Sequence, residues 1–274
     1  MNYTDYVRSP NRDCAVVAHR GIWRDAPENS LPAIEAAIRA GADIVEIDVR
    51  RSADGGLFLL HDETLLRMAG IDEAPEALSS AQLAGLTLRN RDGGENNAMT
   101  GERLPSLQQL FDLTRDRIFL HLDVKDRAVV PDVIACARDL DVESQVDFWG
   151  NLRTPEDLAW VRETVSPYGV LFMAKSRIGA THAEAELDLL FQLAPAVCEV
   201  CFDRVEDIAA LHARQAGIAL WANTLDSVAF AGFTDTAAMQ DPDAIWGRLI
   251  EAGVSLIQTD EPVALKSYLA SRRG

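Results

Sequence analysis

The chain has 274 residues, of which 48% are hydrophobic, so it is long enough to bury the core of one large α/β domain. Its formal net charge of -17 excludes simple docking on nucleic acid or anionic lipid, because both surfaces repel a negative protein and the sequence has no strongly basic patch. Its 4 cysteines are too few for a disulfide scaffold in a chain of this size. We therefore expect a single domain, 1–274.

Neither targeting segments nor a cysteine metal site are expected. Residues 1–13 have no apolar core of the signal-peptide type, and no stretch approaches transmembrane length, so a soluble, cytoplasmic protein is expected. Cys198 and Cys201 form a C-x-x-C pair, but no second Cys or His pair follows it. Their spacing on a strand would send the two thiols to opposite faces, which disfavours a shared metal.

The first strand and helix predict a βαβ opening. The run Ala15 to His19 predicts a short buried strand that leads into His19-Arg20-Gly21. A turn and a helix cap follow at Pro27-Glu28-Asn29-Ser30, and apolar residues then recur at helical spacing up to Gly41. With the strand that comes next, this unit is expected to be right-handed and parallel.

The next strand, Ile44 to Arg50, places two acids in an otherwise β-branched and apolar segment. Because side chains alternate along a strand, Glu46 and Asp48 point to one face and the valines point to the other. Two ionised carboxylates side by side are costly without a compensating cation. The pattern therefore predicts a hard metal ion on this face.

A hairpin follows directly. Asp54-Gly55-Gly56 predicts a tight turn, and the apolar run Leu57 to Leu60 must return antiparallel, because a parallel partner would need a crossover of about a dozen residues. If the turn centres near Asp54-Gly55, His61 lies roughly opposite Asp48. Hairpin geometry thus predicts a histidine within reach of the acid pair.

The segment 63–103 has a looser pattern, with a short capped helix at Ser79 to Leu83 and a loop at Asp92 to Asn97. We interpret it as an insertion over the mouth of the site. Two roles stay open. The segment either selects the ligand, as long loops at such a mouth often do, or acts as a structural lid that covers apolar surface with Leu65, Leu66, Leu83 and Leu86.

The rest of the chain alternates strands and helices. Pro105 is expected to start a helix, and further helices are expected at Pro155 to Val165 and Val205 to Ala216. Strands are predicted near Ile118 to Lys125, Gln145 to Trp149, Val170 to Ala174, Val197 to Phe202, Ile218 to Asn223 and Ser255 to Thr259. With the hairpin strand set aside, this makes eight parallel strands and predicts an α/β TIM (β/α)8 barrel with a small insertion after the second-strand hairpin. An open doubly wound sheet is the alternative, disfavoured by the lack of a Gly-rich phosphate fingerprint.

In such a barrel, functional residues lie at the carboxyl ends of the strands. The polar or aromatic residues at or near these ends are His19, Arg20, Glu46, Asp48, Asp123, Lys125, Trp221, Asn223 and Asp260. Glu46, Asp48 and Asp123 supply the all-oxygen ligand set that Mg²⁺ or Ca²⁺ prefers. Lys175 and Glu199 either line the pocket or pair with neighbours, and His121, deeper in the barrel, is expected to be structural.

Six short motifs resemble the glycerophosphodiester phosphodiesterase family in order and spacing. They are His19-Arg20-Gly21, Pro27-Glu28-Asn29-Ser30, Glu46-Ile47-Asp48-Val49, His61-Asp62, Asp123-Val124-Lys125 and Thr259-Asp260-Glu261-Pro262. The resemblance implies a TIM barrel with one divalent cation and metal-dependent hydrolysis of glycerophosphodiesters to glycerol phosphate and an alcohol.

By the same resemblance, His19 and His61 are the acid/base pair, Glu46 and Asp48 are metal ligands, and Arg20 and Lys125 contact phosphate. Trp221 would form a pocket wall, although Ala222 follows it where the family usually has Thr. Asp123 also departs from the family, which generally has Glu two residues before this Lys. A shorter carboxylate still ligates but reaches about one bond less far.

Three functional alternatives are weighed. Sphingomyelinase D-like phospholipases use Asp-x-Lys at this place but lack the His-Arg-Gly and Pro-Glu-Asn motifs, so a phospholipase D-like enzyme acting on lipid head groups ranks second. A non-catalytic phosphate-ligand binder ranks third, because a binder needs no acid/base pair. The expected partner is a small-molecule glycerophosphodiester, with no nucleic acid and no stable membrane association, and homo-oligomer formation stays open.

Overall fold

A computed structural model of the chain describes residues 1–9, 12–179, 183–214 and 217–272, and parallel strands alternate with helices in an α/β fold. The strands are β1 (Ala15–His19), β2 (Ile44–Arg51), β3 (Leu57–Leu59), β4 (Thr87–Arg89), β5 (Met99–Arg103), β6 (Phe119–Val124), β7 (Val146–Asn151), β8 (Leu171–Ile178), β9 (Val197–Phe202), β10 (Ala219–Asn223) and β11 (Val254–Thr259). The α-helices are α1 (Tyr3–Arg8), α2 (Leu31–Arg39), α3 (Leu66–Ala69), α4 (Ser80–Gly85), α5 (Leu107–Thr114), α6 (Val130–Asp139), α7 (Pro155–Trp160), α8 (Ala183–Leu193), α9 (Val205–Arg214), α10 (Asp235–Gln240), α11 (Arg248–Glu251) and α12 (Pro262–Ser271). Among the described residues, we find no helix whose length and hydropathy would let it span a bilayer.

The chain forms two compact units, one made of Met1–Val17 with Asp147–Gly274 and the other of Ala18–Val146. In the first unit, the strands from β7 to β11 pair in chain order, each parallel to the next. In the second unit, β2 pairs in parallel with β6 and antiparallel with β3.

The eight predicted parallel strands are all present. The largest difference in their bounds is at β8, which continues to Ile178 instead of ending at Ala174. Helix α9 ends at Arg214, and the predicted helix end at Ala216 lies outside the described residues. Helix α5 begins at Leu107 and not at Pro105, because Ser106 caps it and the Pro105 carbonyl accepts a hydrogen bond from Leu59 N (3.0 Å).

A serine cap and a glycine determine the turn between β1 and α2. Ser30 caps α2 by accepting a hydrogen bond from Ala33 N (3.3 Å), as predicted. Gly21 has a φ of +88°, and a Cβ at this position would lie 2.7 Å from the Ala33 carbonyl carbon. Only glycine allows this turn to pack so closely against α2. The close packing of Gly21 also sets the position of Arg20, the residue immediately before it.

The hairpin prediction is confirmed to within one residue. Strands β2 and β3 pair with Val49 opposite Leu59, and Leu60 N then donates to the Asp48 carbonyl (3.2 Å). Leu60 therefore stands opposite Asp48, and His61 follows it. The antiparallel return brings His61 back beside the acid-bearing strand.

The segment 63–103 contains more regular structure than its sequence suggests. The capped helix is confirmed as α4, where Ser79 and Gln82 form a reciprocal capping box. The antiparallel pair β4 and β5 was not predicted. Strand β4 has three residues, and β5 is mostly exposed and polar, so neither carries an alternating apolar pattern.

This segment and the hairpin share an apolar cluster. Its buried members are Phe58, Leu60, Leu65, Met68, Leu83, Leu88 and Leu104, and Leu86 packs against it from the side. The prediction that Leu66 covers apolar surface is wrong, because Leu66 is 52% exposed. The others cover Phe58 and Leu60, which favours a structural lid as part of the segment's role.

We expect Leu83→Ala to lower the free energy of unfolding by about 2–5 kcal/mol, because Leu83 is 0% exposed and its removal leaves a cavity in the cluster. Leu66→Ala, in the same segment but exposed, should change it by no more than about 0.5 kcal/mol. Urea unfolding of both variants measures the difference. Equal effects would show that the cluster does not stabilise the chain.

Candidate active site

Three carboxylates from two adjacent strands meet in the second unit. Asp48 of β2 is in register with Asp123 of the parallel strand β6, and Glu46 lies two residues before Asp48 on the same face. One oxygen from each of Glu46, Asp48 and Asp123 lies within 4.8 Å of the other two. Glu46 and Asp48 are 3% and 1% exposed. The three acids predicted to ligate a metal are therefore close enough to share one ion.

The pKa values of the two acids of β2 are shifted in opposite directions by their surroundings. Burial, and then the neighbouring Asp48 carboxylate, raise the pKa of Glu46 to about 7. Burial also opposes ionisation of Asp48, but Arg20 and Lys125 outweigh it and hold the pKa of Asp48 below its usual range. The acid nearest the cations is thus ionised, while Glu46 lacks a sufficient counter-charge.

The predicted phosphate-binding cations contact these acids directly. Lys125 Nζ lies 2.6 Å from Asp48 Oδ1 and 2.5 Å from Asp123 Oδ2. Arg20 Nε lies 3.0 Å from Asp48 Oδ2, and its Nη1 lies 3.0 Å from Glu28 Oε1. Both cations are largely buried by these contacts, so the lysine and the arginine are held at the acids and not free in solvent.

The charges of this cluster do not cancel. Among its described residues, the carboxylates of Glu28, Glu46, Asp48, Asp62 and Asp123 are linked by ion pairs or close approach to the cations of Arg20, Arg67 and Lys125. If all five carboxylates are ionised, they exceed the three cations by two negative charges, which a divalent cation would neutralise. The raised pKa of Glu46 is consistent with this shortage of positive charge. The oxygen-only donor set of Glu46, Asp48 and Asp123 fits a hard ion such as Mg²⁺ or Ca²⁺.

Asn29 fixes Asp48 in place, a role that the sequence did not reveal. Its Nδ2 donates to Asp48 Oδ2 (2.7 Å), and its Oδ1 accepts from Asp48 N (3.1 Å). Asn29 and Arg20 have φ angles of +55° and +56°, in the left-handed region that is costly for residues other than glycine. From the sequence, the Pro-Glu-Asn motif was interpreted as a turn. The only indication of a special role for Asn29 was that Asn tolerates the left-handed conformation better than most residues.

The two predicted acid/base histidines lie on either side of the β2 acids in sequence. His19 ends β1, and its Nε2 is 3.9 Å from Glu46 Oε2. Trp23 Nε1 donates to the His19 carbonyl (3.2 Å), which ties the following loop to the strand end. His61 Nδ1 is 2.8 Å from Asp62 Oδ1, so a proton on Nδ1 would be held there and Nε2 would be the nitrogen that faces other partners.

Three further residues, Glu28, Asp62 and Arg67, belong to this site although the sequence analysis predicted no role for them. Arg67 of α3 contacts Asp62 through Nε (2.7 Å) and Glu28 through Nη2 (2.6 Å). Glu28 lies in the Pro27-Glu28-Asn29-Ser30 motif and Asp62 in the His61-Asp62 motif. These positions were the only indication in the sequence that the two acids belong to the site. Arg67 lies in the loosely patterned segment 63–103, where nothing marked it.

The polar residues of the first unit form their own network. Lys175 Nζ lies 2.7 Å from Glu199 Oε1, so these two residues pair with each other, and the alternative that they line the pocket stays open. Asn223 Nδ2 donates to Glu199 Oε1 (3.1 Å), and Trp221 Nε1 donates to Asn223 Oδ1 (2.7 Å). Trp221 is buried, and its role as a pocket wall stays a prediction.

Known proteins resemble this chain over part of its length. The glycerophosphodiester phosphodiesterase of Caldanaerobacter subterraneus subsp. tengcongensis is 33% identical over 116 residues, which cover 42% of this chain and 46% of that protein. Glycerophosphodiester phosphodiesterase 1 of Mus musculus is 33% identical over 130 residues, 44% of this chain and 37% of the mouse protein. Over the matched residues, the chain is similar to glycerophosphodiester phosphodiesterases. Its match thus spans less than half the length of these curated relatives.

Solved structures confirm the predicted TIM barrel. A glycerophosphoryl diester phosphodiesterase from Parabacteroides distasonis matches with a TM-score of 0.78 at 18% identity, over 98% of this chain and 92% of that chain. An Oleispira antarctica phosphodiesterase, solved in complex with the product sn-glycerol-3-phosphate, matches with a TM-score of 0.68 at 20% identity, over 94% of this chain and 97% of that chain. At this identity the likeness shows the fold. Residues 172–269 also match a family described as a domain of unknown function.

Proposed function

We propose that this chain hydrolyses glycerophosphodiesters to glycerol phosphate and an alcohol, with one divalent cation held by Glu46, Asp48 and Asp123. The observation that carries the proposal is the convergence of these three carboxylates within 4.8 Å in a cluster whose carboxylates outnumber its cations by five to three. Similarity to the curated relatives supports the substrate class, since the relatives' names specify glycerophosphodiesters.

The chemistry needs positive charge at the phosphate. Held by Glu46, Asp48 and Asp123, Mg²⁺ or Ca²⁺ would supply Lewis acidity and part of this positive charge. Arg20 and Lys125 contribute the remaining charge from this chain's own residues. Because Asp48 already holds both cations at 3.0 Å or less, they need little reorganisation to serve a bound phosphate.

The two histidines move the protons. Histidine titrates near neutral pH, so His19 and His61 can act as base and acid and exchange these roles within one turnover. Asp62 would hold a proton on His61 Nδ1 and direct its Nε2 to the reacting oxygen. Trp221 is proposed as a wall for the substrate's alcohol or glycerol moiety.

Two routes for the attack are part of this proposal. Either a glycerol hydroxyl attacks the phosphorus, expels the alcohol and forms a cyclic phosphate that water opens, or water attacks directly. Chemical quenching of early turnovers separates them, because the first route accumulates a cyclic glycerol phosphate and the second does not.

The setting of the enzyme is also proposed. We infer a single catalytic domain, 1–274, that acts in the cytoplasm on small molecules without stable membrane association. We further infer that the segment 63–103 lies over the catalytic mouth. The contacts of Arg67 with Glu28 and Asp62 support this placement, because they bind the segment to the acid cluster.

The test is an assay of metal-stripped protein with Mg²⁺, Ca²⁺ or Mn²⁺ against glycerophosphocholine, glycerophosphoethanolamine and lysophosphatidylcholine. We expect cation-dependent release of glycerol phosphate from the first two. Turnover of the lipid alone would favour the phospholipase D-like alternative. Binding of glycerol phosphate without any turnover would favour a phosphate-ligand binder.

A further inference from the structure

Arg67 of the inserted segment makes more directed contacts with the site than its position in the sequence suggests. Its Nε and Nη2 each lie 2.7 Å from an oxygen of Asp62, and Nη2 also lies 2.6 Å from Glu28 Oε1. Its Nη1 donates to the backbone carbonyl of Asp92, within the same segment. One guanidinium therefore joins two carboxylates to the inserted backbone.

Each of these carboxylates leads to a functional side chain. Asp62 contacts His61 Nδ1 (2.8 Å), the proposed acid/base group. Glu28 contacts Arg20 Nη1 (3.0 Å), and Arg20 Nε in turn contacts Asp48 Oδ2 (3.0 Å). Arg67 thus stands between the proton-transfer group and the phosphate-binding cation.

Charge and burial favour a fixed geometry here. Burial would raise the pKa of Asp62, but hydrogen bonds from His61 and Arg67 outweigh it and hold this pKa below its ordinary value. Glu28 is 3% exposed, so loss of Arg67 would leave its carboxylate with Arg20 as the remaining ion-pair partner that the structure describes. A planar guanidinium can bridge two carboxylates at once, whereas a lysine ammonium is a single point charge on a flexible stem.

We propose that Arg67 is a positioning residue that orients His61 through Asp62 and Arg20 through Glu28. The inserted segment then completes the catalytic site in addition to covering apolar surface. This inference rests on the proposed function for the roles of His61 and Arg20. Arg67 itself contacts no reacting atom.

The experiment compares Arg67→Met and Arg67→Lys with Arg89→Met in the full-length protein. Arg89 is the matched control, because it belongs to the same segment and its Nη1 donates to the carbonyls of Gly94 and Asn97 (3.2 Å each). We expect Arg67→Met to lower kcat about 10- to 100-fold, the range for groups that orient a functional side chain, with a smaller change in KM. Arg67→Lys should recover part of this loss, and Arg89→Met should retain kcat.

A second measurement does not depend on turnover. Long-range ¹H–¹⁵N NMR of the histidine rings reports which nitrogen of His61 carries the proton. We expect the protonated Nδ1 form to dominate in wild type and Arg89→Met and to decrease in both Arg67 variants, with melting temperatures showing that each variant is folded.

The outcomes separate the two proposals. Equal losses of kcat in Arg67→Met and Arg89→Met, or an unchanged His61 ring signature in the Arg67 variants, would overturn the positioning role. If wild type turns over no glycerophosphodiester, the proposed function fails, while the ring signature still decides whether Arg67 orients His61. A kcat loss with an altered ring signature confined to the Arg67 variants supports the inference.

Discussion

His19→Ala and His61→Ala are each expected to lower kcat by about 10²-fold or more while leaving divalent-cation affinity nearly unchanged. Each histidine is proposed to transfer a proton in the transition state, and general acid–base groups typically contribute factors of this size. Neither histidine belongs to the group of described residues that lie close enough to share a metal ion, which consists of Glu46, Asp48 and Asp123. Steady-state kinetics on glycerophosphocholine, together with Mn²⁺ titration followed by electron paramagnetic resonance, measures both quantities.

His212→Ala provides the control for these variants, because His212 is an exposed residue of α9 with no proposed role. It should retain wild-type kcat. Normal turnover in either His19→Ala or His61→Ala would remove that histidine from the mechanism. A parallel loss of Mn²⁺ affinity would instead assign it to the metal site.

Asp48→Asn is expected to weaken divalent-cation binding by more than about 10²-fold and to reduce turnover to the level of metal-stripped protein. Asp48 is at the centre of the cluster, in contact with Arg20, Lys125 and Asn29. The amide keeps the shape but removes the charge that offsets two buried cations and the proposed ion. Groups that only support a metal ligand already account for 10- to 100-fold in affinity, so a ligand itself should exceed that.

Asp132→Asn is the matched control, because Asp132 pairs with Arg51 on the surface with its side chain 52% exposed. Isothermal titration with Mn²⁺ and circular dichroism on both variants separate loss of the ion from loss of the fold. Retained cation affinity in folded Asp48→Asn would exclude Asp48 as a ligand.

Periodicity and turn chemistry predicted the parts of the site that lie on regular backbone. The two-residue alternation along β2 placed Glu46 and Asp48 on one face, and the register with β6 brings Asp123 beside Asp48. The short turn after β2 predicted the return of His61. These positions follow from local backbone geometry, which can be predicted from a single sequence.

The residues that were missed act through side-chain contacts distant in sequence. Asn29 reaches Asp48, and Arg67 reaches Glu28, across separations of 19 and 39 residues. No periodic pattern encodes such contacts, since they depend on how loops fold over the strands. The β4–β5 pair was missed for a related reason, because its short and exposed strands lack an apolar face.

Crystals soaked in Mn²⁺ and sn-glycerol 3-phosphate, with data collected at the manganese edge, would locate the ion by its anomalous scattering. We expect a single strong peak in the second unit, coordinated by carboxylate oxygens of Glu46, Asp48 and Asp123. A peak bound by other residues, or full Mn²⁺-dependent activity in crystals with no peak at these acids, would contradict the proposed metal site.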